Sequence, residues 1–512
     1  MKTHILRSRI AITALLAGVL SACATAAPPA AAPSVGSAAL TQAAQTITAA
    51  DMDRRIGALA ADSMRGRDTP SPELEKAARY LTEEFRRMGL QPAGDSATFI
   101  QRFPYVQGQM DPEATFLRLR GHEAASPRFG TDFFLITGPA PRAEGPAFHA
   151  GEAGRVSSLP AEAAGSVVLF DLPGAELNAE WQGALTAALG VGIPAGATAI
   201  GFVLDPAFSS AAVGQLTSMV AGQQAPVPVF GVTRRSAEAM FAQAAARPGM
   251  VQPPARVAGA VIEVGGVRST IEHRVPNVVA LLPGSDPVLR DTYVVLTAHF
   301  DHVGVGAPDA SGDSIYNGAD DNASGTAGLL GIAEAFAALP EPPARSVLFL
   351  AVSGEEKGLL GSMHFAANPT IPGEGIVANL NMDMIGRNAP DTLIAIGQEY
   401  STFEQVLNEV LAAHPDLGLT VIRDPYPEEG LFFRSDQLSF IQRGVPSLFF
   451  FTGLHEDYHQ PSDVLERIDA DKVARVSRLG FLVAHRVATS REAPEWTEEG
   501  RRQVEQILRG GR

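Results

Sequence analysis

Two spacings of apolar residues divide this chain. From Ala50 to Gly89 they recur at helical intervals, first in MDRRIGALAAD and then in PSPELEKAARYLTEEFRRMGL, with Pro72 near the start of the second run and Gly89 past its end. Two amphipathic helices are predicted there. From about 130 to 262 the pattern shortens to β-like runs, GSVVLFDL, AIGFVLD and VPVFGV, set among Gly, Ala and Pro. From about 268 apolar strands (TYVVLTA, SVLFLAVS, GIVANLNMDM, TLIAIG, VPSLFFF) alternate with helix-like stretches after Ser324, Gly358, Thr402 and Asp469. This alternation predicts an α/β fold, a three-layer sandwich around a mostly parallel central sheet, interrupted by a small β-rich insert. The domain boundaries follow: catalytic-type sequence at 48–129, insert at 130–262, the main domain at 263–490 and a C-terminal tail at 491–512.

Composition narrows the class. The 512 residues are 46% hydrophobic and 19% charged, as in a globular protein, and the formal net charge is −16. Such an acidic balance lacks the basic stripe that a nucleic-acid partner needs.

Residues 1–22 read as a signal peptide, a basic MKTHILRSR followed by an apolar IAITALLAGVL too short to span a bilayer comfortably. Leu20-Ser21-Ala22-Cys23 resembles the bacterial lipobox, in which the Cys becomes a lipid-modified N-terminus. Cys23 is the single cysteine, so no intrachain disulfide can form. The expectation is a periplasm-facing lipoprotein of the bacterial cell envelope, touching membrane only through a lipid on Cys23. Ala24-Thr25-Ala26 supplies a competing cleavage pattern, which would leave the protein secreted or soluble in the periplasm. Residues 23–47, rich in Ala, Pro and Ser, read as a disordered tether.

Chemistry gathers at the ends of the apolar runs. YVVLTA leads into His299-Phe300-Asp301-His302, SVLFLAVS into Glu355-Glu356, NLNM into Asp383, and SLFFFTG into a loop with His455 and His459. NGADDNASG places Asp320 and Asp321 before a buried-looking helix, where carboxylates are costly unless a cation neutralises them. In open α/β sheets ligands bind beyond the carboxyl ends of the strands, so these groups converge on one edge.

In order and spacing, AHFDH, NGADDNASG, SGEEKGLLGS, NMDMIGR and DYHQPSD resemble the co-catalytic di-zinc aminopeptidase family, which also includes glutamate carboxypeptidase and the non-catalytic transferrin receptor. The resemblance spans about residues 48–120 and 268–490. It implies two zinc ions per chain, one bound by His299 and Asp383, the other by Glu356 and His459, with Asp321 bridging. It implies Glu355 as general base and Asp301 as the acid that holds the His299 imidazole in its ligating tautomer. It further implies a cis peptide at Asp321–Asn322 and a protease-associated character for the insert, carried by GSVVLFDLPG and VPVFGVTRRSAEAMF. The implied activity is aminopeptidase hydrolysis of peptide substrates, with two histidines and three carboxylates suited to zinc, cobalt or manganese.

Alternatives remain on the same residues. A carboxypeptidase or dipeptidase would need a cation for the substrate carboxylate, for which Arg387 and Arg434 are candidates. A glutaminyl cyclase would use one zinc, and a non-catalytic binding lipoprotein would dispense with turnover. His302, His364 and His455 are expected to be structural or to support the ligands rather than bind metal themselves, and Gln437, where the family has His after Ser435-Asp436, leaves Asp436 without an assigned role.

Overall fold

The computed structural model describes residues 37–121, 126–137, 142–172, 179–204, 226–243 and 254–510. The signal peptide, Cys23 and the first part of the expected tether lie outside these residues.

The main sheet has nine strands. At its centre Ser346–Val352, Tyr293–His299, Ile376–Met382 and Ser447–Phe451 run parallel in that spatial order. Every residue of Tyr293–His299 and Ser346–Val352 is buried, which accounts for their continuous apolar runs. Antiparallel strands flank this centre: Arg268–Leu282 on one side, and Thr392–Ile396 on the other.

Alternate side chains of the strands serve two helical layers. Val294, Leu296 and Ala298 join a core with the helices Ala49–Leu59, Pro72–Arg87, Gly325–Ala337 and Ala470–Thr489. Tyr293 and Val295 pack with Phe365 and Phe440, from Leu360–Ala367 and Gln437–Ile441, on the opposite face. The two predicted N-terminal helices form at Ala49–Leu59 and Pro72–Arg87, capped by the Thr48 and Ser71 side chains, with Gly89 at φ +75° past the second.

Three boundaries differ from the expectation. Residues 37–47 are not a tether: Ser37–Gln45 is helical, and Ala43, Ala44 and Ile47 are buried in the main core. An Ala-rich composition suits both a linker and a packed helix, and here an apolar stripe finds a partner. Of the expected tail at 491–512, the described part to residue 510 is not one: Glu498–Gly510 is a helix whose Val504 is buried beside Ile396 and Phe432. The β-rich unit begins at Phe116–Leu119 rather than at 130, because that strand pairs with Ala255–Gly265 in a separate seven-stranded sheet. The second sheet has its own apolar clusters on both faces. A long antiparallel ribbon, Ile100–Met110 against Arg268–Leu282, carries the chain between the units.

Candidate metal centre

Each chemical group sits where a central strand or its loop ends. His299 is the last residue of its strand and Asp383 follows Met382 directly; Glu355 and Glu356 lie just past Val352, and His459 lies on the loop after Phe451. Parallel strands in register bring these loops to one edge, so residues far apart in sequence meet.

They meet as two groups, one of His299, Glu355 and Asp383 and one of His302, Asp321, Glu356 and His459, each with its ligand atoms within 4.8 Å of one another. Asp321 stands between them. Its Oδ1 lies 3.4 Å from His299 Nε2, and its Oδ2 lies 3.0 Å from His459 Nε2. His299 Nε2 is also 3.3 Å from Asp383 Oδ1, and His459 Nε2 is 3.2 Å from Glu356 Oε2. Donors held about 2.0–2.2 Å from a tetrahedral ion lie roughly 3.3–3.6 Å from each other, so these separations and this N/O donor set fit zinc-class ions.

The electrostatics point the same way. Burial opposes the charge on His299, yet Asp383 and Glu355 hold its imidazole well above the ordinary range. Burial likewise opposes ionised Asp321, but His302, His299 and His459 pull it well below the usual carboxylate range. Burial raises Glu355 well above that range, with Glu356 and Asp436 adding to the effect. Buried carboxylates crowded this closely call for positive charge to neutralise them.

Behind the ligands lies a layer of hydrogen bonds. The Asp463 carboxylate accepts from the Asp320 amide at 3.0 Å and the Asp321 amide at 3.1 Å. The Ser435 hydroxyl donates to Asp383 Oδ2 at 2.7 Å. Thr69 donates to Asp301 Oδ2 at 2.9 Å, and Asp301 Oδ1 accepts the Glu355 amide at 3.3 Å. His299 Nδ1 lies 3.2 Å from the Asp301 carbonyl and 3.7 Å from its Oδ1. The Asp321–Asn322 peptide is cis. Gly318, at φ +60°, admits no larger residue: a Cβ would collide with the Asp321 carbonyl and the His302 ring.

Two histidines expected to be structural or supporting lie beside the ligand groups, and one arginine was missed in the sequence. His302 is fully buried with Nδ1 2.8 Å from Glu356 Oε1, a hydrogen-bond distance, so it steadies that carboxylate. His455, expected to be structural or supporting, has Nε2 3.2 Å from Asp320 Oδ2, beside the residue that precedes Asp321. Arg67 had no signal at all: fully buried, it donates to the carbonyls of Leu59, Phe300, Asn317 and Gly318, three of them in loops of the centre. Its partners lie 233 to 251 residues away, except for Leu59, and no local pattern marks it. His364 stacks on Phe103 and belongs to neither group. Asp436 is buried with neither carboxylate oxygen hydrogen-bonded among the described residues, and burial pushes it up to about 7. Gln437 instead pairs with Asn381 at 3.1 Å.

A pocket opens over the centre. Asp321, Glu355 and Asp383 form its floor, Met384, Leu431, Phe449, Phe451 and Tyr458 its apolar walls, and Leu454 and Arg434 its exposed rim.

Residues 277–483, which contain every one of these ligand candidates, match the sequence model of peptidase family M28. The matched segment is about two fifths of the chain. A probable zinc metalloprotease of Pyricularia oryzae (strain 70-15) is 29% identical over 278 residues, covering 44% of this chain and 53% of that protein. A probable leucine aminopeptidase of Arthroderma otae is 28% identical over 249 residues, covering 46% of this chain and 64% of the other. The matches thus span about half to two thirds of these relatives. Among solved structures, the aminopeptidase from Aneurinibacillus sp. strain AM-1 aligns with a TM-score of 0.51 at 18% identity, over 90% of this chain and 97% of its own. A zinc aminopeptidase from Bacillus subtilis aligns with a TM-score of 0.53 at 16% identity, over 87% and 97%. At these identities the likeness is one of fold, and it extends well beyond the segment matched by the family model.

Proposed function

We propose that this protein is a zinc-dependent exopeptidase of aminopeptidase type that works with two metal ions. His299 and Asp383 would hold one ion, Glu356 and His459 the other, and Asp321 would bridge. The observation that carries this reading is the division of Asp321, whose two oxygens face imidazoles of different groups 3.4 and 3.0 Å away. The names of the relatives, a probable zinc metalloprotease and a probable leucine aminopeptidase, support the same class of chemistry.

When bound, zinc supplies Lewis acidity that acidifies a water and steadies the oxygen of a scissile carbonyl. The protein's own residues do the rest. Glu355 takes the proton from the attacking water and delivers it to the departing amine as the C–N bond breaks. Its buried setting, which raises its pKa, suits it to hold that proton between the two steps. The Asp301 backbone carbonyl, 3.2 Å from Nδ1, orients His299, Ser435 orients Asp383 and His302 orients Glu356, so that the ligands are fixed before substrate arrives.

The second sheet is proposed as a protease-associated domain, and Cys23 as a lipid anchor at the cell envelope. Incubating the zinc-loaded protein with free, N-blocked and C-blocked peptides, and reading products by mass spectrometry, tests the exopeptidase assignment. Loss of cleavage on N-blocking supports the aminopeptidase; loss on C-blocking assigns a carboxypeptidase.

A further inference from the structure

The pocket carries a positive charge that the hydrolytic chemistry does not use. Of the two arginines that the sequence offers as carboxylate partners, Arg387 is engaged: its Nη2 lies 2.7 Å from Asp457 Oδ2, and the pair is largely buried, at 12% and 5% exposure. Arg434 is not. It is exposed on the rim of the pocket whose floor is Asp321, Glu355 and Asp383, and among the described residues it takes part in no ion pair and no side-chain hydrogen bond. The apolar walls offer it no counter-charge. Its backbone is well placed, because the next residue, Ser435, is tied to Asp383 at 2.7 Å. An unpaired guanidinium is a preformed fork for a carboxylate, which it binds through two parallel hydrogen bonds. The cavity itself is small, about 30 Å³, and partly open to solvent.

We propose that Arg434 receives a carboxylate of the substrate, so that the pocket selects short peptides carrying a carboxylate next to the bond that is cut. The carboxylate is either the free C-terminus of a di- or tripeptide or an acidic side chain flanking the scissile bond. The inference rests on the peptidase reading for its consequence, but the carboxylate site itself is a matter of binding.

The test uses the zinc-loaded full chain and the variants Arg434→Leu and Arg434→Lys, each checked for an unaltered melting profile. Two matched pairs are compared by kcat/KM: alanyl-alanine against its amide, and alanyl-glutamate amide against alanyl-glutamine amide. The wild type is expected to favour the acid of one pair by about tenfold or more, the scale of a 1.4 kcal/mol contact. Which pair shows the preference distinguishes the C-terminal from the side-chain source. In Arg434→Leu the acid-to-amide ratio should fall toward one, and in Arg434→Lys it should lie between. A wild-type ratio near one in both pairs, or a preference that survives Arg434→Leu, overturns the proposal. Calorimetric binding of a reduced-bond dipeptide analogue, as acid and as amide, reads the same ratio without turnover. If no peptide is cut, the peptidase reading fails, and the analogue still decides whether Arg434 discriminates.

Discussion

Arg67 Nη2 donates to the Gly318 carbonyl at 3.0 Å, joining an N-terminal turn to the loop that presents Asp321. The same guanidinium holds the Phe300 carbonyl at 2.8 Å, between His299 and Asp301. One buried cation therefore ties together the two loops that flank the proposed bridge, and it does so from outside the segment that matches family M28.

Arg67→Lys keeps the charge but cannot fork to four carbonyls. Leaving some of them unpaired in the interior should destabilise the main domain by about 2–4 kcal/mol. Losing the loop clamp should weaken zinc retention by roughly tenfold or more. Chelator competition followed by metal analysis on folded protein checks the second effect, and melting curves the first. Thr69→Ala, which removes the 2.9 Å bond to Asp301, should move both in the same direction by less.

The adjacent glutamates should separate base from ligand. Glu355→Gln preserves shape and should retain zinc while peptide hydrolysis falls by roughly two to four orders of magnitude. Glu356→Gln removes an anion that sits 3.2 Å from His459 Nε2 and should lose zinc together with activity. Zinc content and turnover measured on the same samples reveal a reversal of the roles, should there be one.

His485 gives the fold a pH response remote from the pocket. It lies on Ala470–Thr489 beside Phe336 and Phe481, and burial lowers its pKa to about 4. The unfolded chain binds a proton there below about 6.5, whereas the folded chain does so only below about 4. Stability should therefore be fully present above about pH 6.5 and decline as pH falls toward 4, by up to roughly 3 kcal/mol. His485→Leu should flatten this part of the profile in denaturant melts at pH 4.5 and 7.5. An equal decline in both proteins excludes His485 as the cause.

The anchor has a simple test. In a bacterial host, Cys23→Ala should leave an uncleaved precursor or move the protein out of the membrane fraction. Unchanged processing and fractionation would assign cleavage at Ala24-Thr25-Ala26 instead.

The sequence alone determined the α/β alternation, because strands buried on both faces are written as unbroken apolar runs and the covering helices as 3.6-residue stripes. It also marked the strand ends that carry His299, Glu355, Glu356 and Asp383, since parallel strands deliver their carboxyl ends to one edge, while only the resemblance of the motifs chose Asp321 over Asp320 and His459 over His455. What it left open depended on partners distant along the chain. The Ser37–Gln45 and Glu498–Gly510 helices read as tether and tail because each is stabilised by packing on the domain, which composition does not record. The strand Phe116–Leu119 was assigned to the wrong unit because only its pairing with Ala255–Gly265 decides its sheet. Arg67 is an ordinary polar residue in the sequence, and His302 and Arg434 stand there only as candidates for a supporting role and for a carboxylate partner. Tertiary structure made the first a buried clamp, the second a brace for Glu356 and the third an unpaired charge over the pocket, because hydrogen bonds and desolvation act between neighbours in space.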